Sequence, residues 1–364
     1  MPELTALETY ECPACGAQAE WNPGRQLLEC PYCGTKSAFE VDPVSGEIQE
    51  IDLVQTLREL PEELRSWKAT KKTVRCQSCR AVTVFDPERV GQRCDFCGSP
   101  ALVDYEELKP PIRPQSLLPF QVSESQVRDR FRTWLKGRWL APGNLKKRAL
   151  VDTLHGLYIP YWTFDARVDC PWEADAGHYY YVTVEYRDAQ GKRRTKRERR
   201  VRWEHAAGEI RHQFDDELIP GTQGIDRDLL TQVEPFPTRD LVPYDPAYLS
   251  GFAVEHYQVV LIDAAKQARG AMDAKLRALC AQEIPGDTYR NLQIFPDYSG
   301  ETFKHVLVPV WLVAYDYGRK SYQLVANGVT GEIAGRYPKS AWKIFFLVLA
   351  VLVVVAFFLY AGCG

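Results

Sequence analysis

Four Cys-x-x-Cys pairs in the first hundred residues constrain this chain more than any other feature. The first two read Cys12-Pro-Ala-Cys15-Gly and Cys30-Pro-Tyr-Cys33-Gly; the second two read Cys76-Gln-Ser-Cys79-Arg and Cys94-Asp-Phe-Cys97-Gly. In each set fourteen residues separate the inner cysteines, and an aromatic and a proline recur at matching offsets, Trp21 and Pro23 against Phe85 and Pro87. The result is an internal repeat with a period of 64 residues. Two residues between thiols let one tight knuckle aim both sulfurs at one ion, and glycine after the second Cys supplies the backbone freedom the knuckle needs. Two knuckles on short hairpins close a tetrahedral shell of four sulfurs, which leaves no position for a substrate water, so each ion is structural. One set is Cys12, Cys15, Cys30 and Cys33 and the other Cys76, Cys79, Cys94 and Cys97. Two Zn2+ ions are expected, with iron in a rubredoxin-like shell as the alternative. A ribbon of about 30 residues is too small for a self-sufficient core, and metal binding on the order of 10 kcal/mol supplies the difference. A redox-active pair needs a strand–helix context, whereas short extended runs and turns flank these cysteines. Cys170, Cys280 and Cys363 stand apart and read as small apolar filler.

Composition is otherwise ordinary: 364 residues, 45% hydrophobic, 26% charged, formal net charge -3. No global basic excess marks nucleic acid as the main partner, so attraction to an anionic surface must come from a local patch. The N-terminal stretch has neither a basic region nor an apolar one and does not read as a signal peptide. From Ile344 to Ala361 eighteen residues carry no charge, with Trp342 and Tyr360 at the ends. At about 1.5 Å each they extend roughly 27 Å, close to a bilayer core of about 30 Å, which predicts a transmembrane helix over 342–361. Arg336, Lys339 and Lys343 precede it. The positive-inside rule then puts the bulk of the chain in the cytoplasm, as a single-pass protein of the bacterial inner membrane. That compartment is reducing, which agrees with thiols that bind metal.

The expected fold class is α+β. Zinc ribbon 1 covers 8–42, a helical linker 43–71, zinc ribbon 2 72–107, a proline-rich linker 108–119 and an α+β domain 120–338. In the linker, Leu53, Leu57, Leu60 and Leu64 share one stripe over Leu53 to Lys68, read as one helix or, since Pro61 interrupts it, equally as two short ones. The large domain suggests an internal duplication. LLPFQV (117–122) leads to a helix near 124–140, opened by a capping box at Ser123 and Gln126, and then to LYIPYW (157–162). YLSGFAV (248–254) leads to a helix near 256–283 and then to VLVPVW (306–311). SYQLVANGVTGEIAG (321–335) predicts a hairpin turning at Asn327-Gly328.

Tyr179 to Glu185 and Arg193 to Trp203 predict a further hairpin around Asp188 to Gly191. Between 187 and 202 stand nine cations, Arg187, Lys192, Arg193, Arg194, Lys196, Arg197, Arg199, Arg200 and Arg202, against two acids. Such a run is either a solvated hairpin or a surface for an anion, and beside a membrane tether lipid headgroups or an acidic partner are favoured over nucleic acid. No phosphate-binding loop, nucleophile elbow or zinc-protease motif occurs, and the six histidines show no ligand spacing. The adjacent acids of FDDEL (214–218) have no partner base in sequence and read as a turn or surface pair. No catalytic residue and no small-molecule substrate is identified.

At these residues the chain resembles a family of bacterial proteins with an N-terminal TFIIB-type zinc ribbon and a C-terminal membrane anchor. The stretches that carry the resemblance are CPACG, CPYCG, LYIPYWTFDA, FDDELIP, LVPYDPAYLSGF, ETFKHVLVPVW and VANGVTGEIAGRYPKS. Members are often labelled primosomal replication factor Y or helicase-like, but this chain lacks the nucleotide-binding loop a helicase requires. Other relatives resemble membrane partners of phage-shock and SPFH-type envelope-stress proteins. Many members carry one ribbon where this chain has two. The resemblance implies a membrane-anchored scaffold or adaptor that recruits a cytoplasmic protein partner. The alternative is a membrane-tethered zinc-ribbon protein that binds nucleic acid.

Overall fold

The computed structural model describes residues 10–37, 48–59, 72–77, 82–85, 94, 102–104, 112–142, 154–187, 192–317 and 320–362. Strands β1 (Tyr10–Glu11), β2 (Gln18–Asn22), β3 (Leu27–Glu29) and β4 (Lys36–Ser37) form a small antiparallel sheet in chain order. β5 (Ile51–Asp52) runs into a helix over Leu53–Glu59; the rest of the expected 53–68 helix lies outside the described residues. β6 (Lys72–Cys76), β7 (Val82–Phe85) and β8 (Leu102–Asp104) form a three-stranded sheet in the order β7-β6-β8.

The remaining strands are β9 (Ser116–Leu117), β10 (Leu154–Arg187), β11 (Arg193–Pro220), β12 (Val242–Pro243), β13 (Ala253–Val254), β14 (Thr288–Ile294), β15 (Asp297–Tyr317), β16 (Lys320–Asn327) and β17 (Ile333–Gly335). With β5 they make one ten-stranded sheet whose main path is β11-β10-β15-β16-β17. The chain is therefore mostly β, with large antiparallel sheets, and the expected α+β class is corrected. The signal for this lay in residues 165–177, where Ala166, Val168, Cys170, Trp172, Ala174 and Ala176 are buried and alternate with polar or proline positions. That period of two is the mark of a strand with one covered face. The cover is the long helix Leu261–Glu283, which lays Ala264, Ala268, Met272, Leu276 and Cys280 on it.

The internal duplication is present, and its register is clear. β10 and β15 pair antiparallel, with Leu157 opposite Val310, Ile159 opposite Val308 and Tyr161 opposite Val306. Exchanging Pro160 for Pro309 maps this pairing onto itself, so a local twofold axis passes through the Ile159–Val308 pair. Each unit lends its lead-in strand to the other. β9 pairs parallel with β15 at Val306 and Leu307, and β13 pairs parallel with β10 at the equivalent Leu157 and Tyr158. The Trp162 indole donates to the Val259 carbonyl at 2.9 Å and the Trp311 indole to the Val122 carbonyl at 2.9 Å. Gly221 N–H donates to the Pro160 carbonyl, and Gly328 N–H to that of Pro309. Phe120-Gln121-Val122 therefore matches Tyr257-Gln258-Val259. The segment equivalent to 117–122 is 254–259, not the expected 248–254. The helices Glu124–Lys136 and Leu261–Glu283 begin at equivalent positions, the first with the expected capping box at Ser123 and Gln126.

Two turns differ from expectation for local reasons. Residues 112–119, expected as a linker, are largely buried, and Ser116–Leu117 belongs to the sheet. The hairpin of β16 and β17 pairs Ala326 with Ile333, so its loop is longer than a two-residue Asn-Gly turn. Gly328 gives its N–H to Pro309, while the Asn327 side chain accepts from Val329 and Thr330 N–H and organises the longer loop. A Cβ on Gly328 would come within 2.7 Å of Phe120 and 2.8 Å of Pro309.

The last helix is Ala341–Gly362. Among the described residues, however, no helix is long and apolar enough to cross a membrane. The expected transmembrane span over 342–361, and with it the single-pass placement in the inner membrane, is not met.

Because the two indoles close equivalent halves of the core, Trp162→Ala and Trp311→Ala are each expected to cost about 3–5 kcal/mol. Urea denaturation of the two variants checks this; an unshifted midpoint for either would show that its half of the core carries no such weight.

Candidate functional site

The first four cysteines converge as their spacing predicts. The two knuckles are built alike: Cys12 N–H donates to Ala17 and Gly16 N–H to Cys12, as Cys30 N–H donates to Thr35 and Gly34 N–H to Cys30. Gly16 and Gly34 both sit at φ 71, the left-handed region where a Cβ is unfavourable. Cys12 Sγ lies 3.5 Å from Cys33 Sγ, and Cys15 Sγ 3.6 Å from Cys30 Sγ. All four sulfurs lie within 4.8 Å of one another. Tetrahedral ligands at about 2.3 Å from an ion sit roughly 3.8 Å apart, so the group could hold a metal ion such as zinc. The Thr35 hydroxyl and N–H hold the Cys33 thiol down to about 6, towards the thiolate a metal needs. In the second set Cys76 and Cys94 are both buried; Cys79 and Cys97 lie outside the described residues.

The first ribbon is fastened to the large sheet rather than hung from it. Trp21, 4% exposed, packs edge-on to Tyr248 at 4.6 Å. Its N–H donates to the Ser250 carbonyl, and the Ser250 hydroxyl donates to the Ala19 carbonyl at 2.6 Å. The Gln26 amide reaches the Phe120 carbonyl at 2.8 Å. At the ribbon's tip Tyr32 is 82% exposed.

The acids of FDDEL gain partners from other strands. Asp165, Asp215 and Asp216 place carboxylate oxygens within 4.8 Å of one another. Asp165 sits at a bulge in the β10–β11 pairing and accepts the Asp216 N–H at 2.6 Å. The Lys304 ammonium, on the buried side, lies 2.8 Å from Asp216, 3.3 Å from Glu50 and 3.7 Å from Asp165. Burial opposes the charge on Lys304, but these carboxylates outweigh it and raise its pKa. One lysine thus offsets part of the cluster's negative charge and ties Glu50, Asp165 and Asp216 into an ion-pair network. Neither of the two best-formed clefts among the described residues includes it. One lies between the ribbon and the start of the Glu124–Lys136 helix, the other around Thr222 and Asp226.

Two features were not legible as sites. Cys170 and Cys280, isolated in sequence, meet between β10 and the long helix with their sulfurs 3.9 Å apart, and burial pushes the Cys280 thiol up to about 12. Both cysteines are fully buried, and the pair serves as packing between strand and helix. The duplication also has one polar half. Where the apolar half holds Gly156, Leu118 and Phe120, the other holds His305, Glu255 and Tyr257. Burial drives His256 and His305 down to about 4 and Glu255 up to about 8, against the Thr222 and Gln258 bonds that favour its charged form. The His305 ring bonds the Ile112 carbonyl at 2.8 Å, and the Tyr257 hydroxyl accepts the Ile112 N–H at 2.9 Å.

The basic residues predicted between 187 and 202 do lie on one hairpin. β10 and β11 pair from Tyr161 opposite Pro220 out to Arg187 opposite Arg193. β14 flanks β10 only as far as Gly177, with the Asp287 carboxylate accepting the Tyr179 N–H just beyond. From Tyr180 outward the described structure has two strands. Arg199 stacks on Tyr179 at 4.3 Å and Arg197 on Tyr181 at 5.0 Å.

Comparison with known proteins gives little more. No family model matches the chain, and no solved structure resembles it. It is 24% identical over 240 residues to the uncharacterized protein YdjG of Bacillus subtilis (strain 168). The match covers 64% of this chain and 66% of that protein.

The buried titratable groups set a pH dependence. The unfolded chain takes up protons on both histidines below about 6.5 while the folded one does not until about 4, so stability falls on acidification through that window. Glu255 holds its proton in the folded chain up to about 8 but loses it above about 4.5 when unfolded, so stability also falls as pH rises towards 8. Glu255→Gln is expected to abolish the alkaline fall, on the order of 3 kcal/mol between pH 5 and 8, while sparing the acid one. Melting curves across pH 4–9 test it.

Proposed function

We propose that this chain is a metal-stapled binding scaffold, not an enzyme, whose recognition element is the two-stranded arm beyond Tyr179. Two structural Zn2+ ions hold the ribbons, with Cys12, Cys15, Cys30 and Cys33 at one and Cys76, Cys79, Cys94 and Cys97 at the other. Four thiolates at each leave no coordination position for chemistry. The partner is a macromolecule with an acidic surface. The observation that carries this reading is the arm itself: eight cations and exposed tyrosines on one hairpin, in a chain whose net charge is -3. The resemblance to zinc-ribbon adaptors points the same way, towards recruitment of a partner rather than turnover of a substrate.

The metal and the arm can be tested separately. Metal analysis of the purified chain is expected to find about two zinc ions, and Cys30→Ser to lose one of them together with the Trp21 contact. A metal-free parent chain, or one holding iron, would refute the zinc assignment. Immobilised heparin, a generic polyanion, is expected to retain the parent chain. Arg193→Glu, Arg197→Glu and Arg199→Glu combined should elute at much lower salt. Equal elution of parent and variant would show that the arm is not the recognition element.

A further inference from the structure

The arm carries its charge in a way that narrows the partner. Residues directly opposite in an antiparallel pair share a face, and faces alternate along each strand. The register therefore puts Arg187, Arg193, Arg197 and Arg199 on one face, with Tyr179, Tyr181 and Glu185. It puts Arg194, Lys196 and Arg200 on the other, with Tyr180, Tyr186 and Glu198. One face has four cations and the other three, and each has one acid. Arg187 stands directly opposite Arg193, a like-charge pair that costs the hairpin stability. The folded hairpin alone gives no reason to keep that charge.

A flat acidic protein surface meets one face of a ribbon and leaves the second set of cations in water. A groove walled by phosphates on both sides meets both. Paired strands lie about 4.8 Å apart, and the eight pairs from Tyr180–Arg200 to Arg187–Arg193 extend roughly 24 Å at about 3.4 Å per residue. The major groove of B-form DNA, about 12 Å wide and 8.5 Å deep, admits a two-stranded ribbon, and an arm of this length spans most of a helical turn. The corresponding groove of A-form RNA is too narrow and deep for it. Arg197 and Arg199 are already stacked on tyrosine rings, which fixes their guanidinium planes before any phosphate arrives. The paired strands of the arm, 180–187 and 193–200, carry no asparagine or glutamine, the side chains that read adenine, and cations set against phosphates tolerate sequence.

Resting on the scaffold reading above, we propose that the arm formed by β10 beyond Tyr179 and β11 before Val201 is a sequence-tolerant grip for the major groove of double-stranded DNA, held by cations on both of its faces. The test uses the full chain and a mixed-sequence DNA duplex of about 24 base pairs, long enough for two helical turns. An A-form RNA duplex of equal length and polyglutamate serve as competitors. Binding to DNA is expected to weaken steeply with salt, by about 10³-fold or more between 50 and 200 mM, and to exceed binding to the RNA duplex at least tenfold.

Two triple variants, Arg193→Glu/Arg197→Glu/Arg199→Glu and Arg194→Glu/Lys196→Glu/Arg200→Glu, should each reduce DNA affinity at least tenfold. Arg193→Glu creates an opposite-charge pair with Arg187, so the hairpin itself is spared. The milder Arg→Gln and Lys→Gln versions of the same triples, with Trp203 fluorescence reporting the base of the arm, separate lost contacts from lost fold. Loss confined to one face, or tighter binding to polyglutamate than to DNA, would overturn the DNA assignment and leave the scaffold reading standing. No salt-dependent binding to any of the three polyanions would overturn both.

Discussion

The pairing of β10 with β15 about Ile159 and Val308 is the constraint on which the rest of the large sheet depends. Both strands are buried on both faces there, from Leu157 to Trp162 and from Val306 to Trp311. A strand covered on both faces needs two layers of cover, and a unit with one helix supplies only one. The duplication resolves this by exchange: each unit's Pro-x-Trp strand is flanked by the other's lead-in strand, and each indole is capped by a carbonyl from the other unit. The prolines fit because Pro160 and Pro309, which cannot donate in the ladder, use their carbonyls to receive the equivalent glycines Gly221 and Gly328. Neither unit can bury its central strand alone, so folding has to bring residues about 150 apart in sequence together before either half is stable.

How much of this was legible follows from the range over which each signal acts. The cysteine knuckles are local, fixed by two-residue spacing and a left-handed glycine, and the first set closes as read. The basic hairpin is local too, although its strands run far beyond the segment recognised. The capping box at Ser123 and Gln126 was visible for the same reason. The duplication was seen but aligned wrongly, because the eye of a sequence reader goes to the apolar run YLSGFAV. The true match, Val254 to Val259, hides Glu255 and His256 inside what is otherwise an equivalent strand and turn. Cys170 with Cys280, and Asp165 with Lys304 and Asp216, depend on strands more than fifty residues apart and leave no trace in local spacing. The alternation over 165–177 was available and decides the mostly β class.

The ribbon adds a second dependence, between metal and sheet. Trp21, the fourth residue of β2, reaches across to Tyr248 and Ser250, a segment that leads directly into β13. A sulfur cluster that fixes β2 and β3 therefore also fixes one wall of the core around Phe120, Tyr158 and Trp311. Because that wall belongs to the apolar half of the duplication, the metal and the buried Glu255–His305 half act on opposite sides of the twofold. The polar half tolerates titratable groups inside a sheet whose other half is secured by the four-cysteine ribbon.

The duplication also supplies an internal control for the arm. β15 and β16, the counterpart of β10 and β11, pair over eight residues, from Val310–Asn327 to Tyr317–Lys320, and close the same corner of the fold. That length is what the architecture requires. The β10–β11 hairpin continues far past it, first under the long helix, where Cys170 and Trp172 still contribute to the core, and then past Gly177 into two strands alone. The helix explains the first extension, since Leu276 and Cys280 need a surface to cover. It does not reach the second. Residues beyond Tyr179 thus serve neither the twofold core nor the helix, and they are where exposed tyrosine and arginine replace alternating apolar side chains. Among the described residues nothing in the fold calls for that segment, and the Arg187–Arg193 pair opposes its own pairing, which is the ground for the proposal that the arm is kept for a partner.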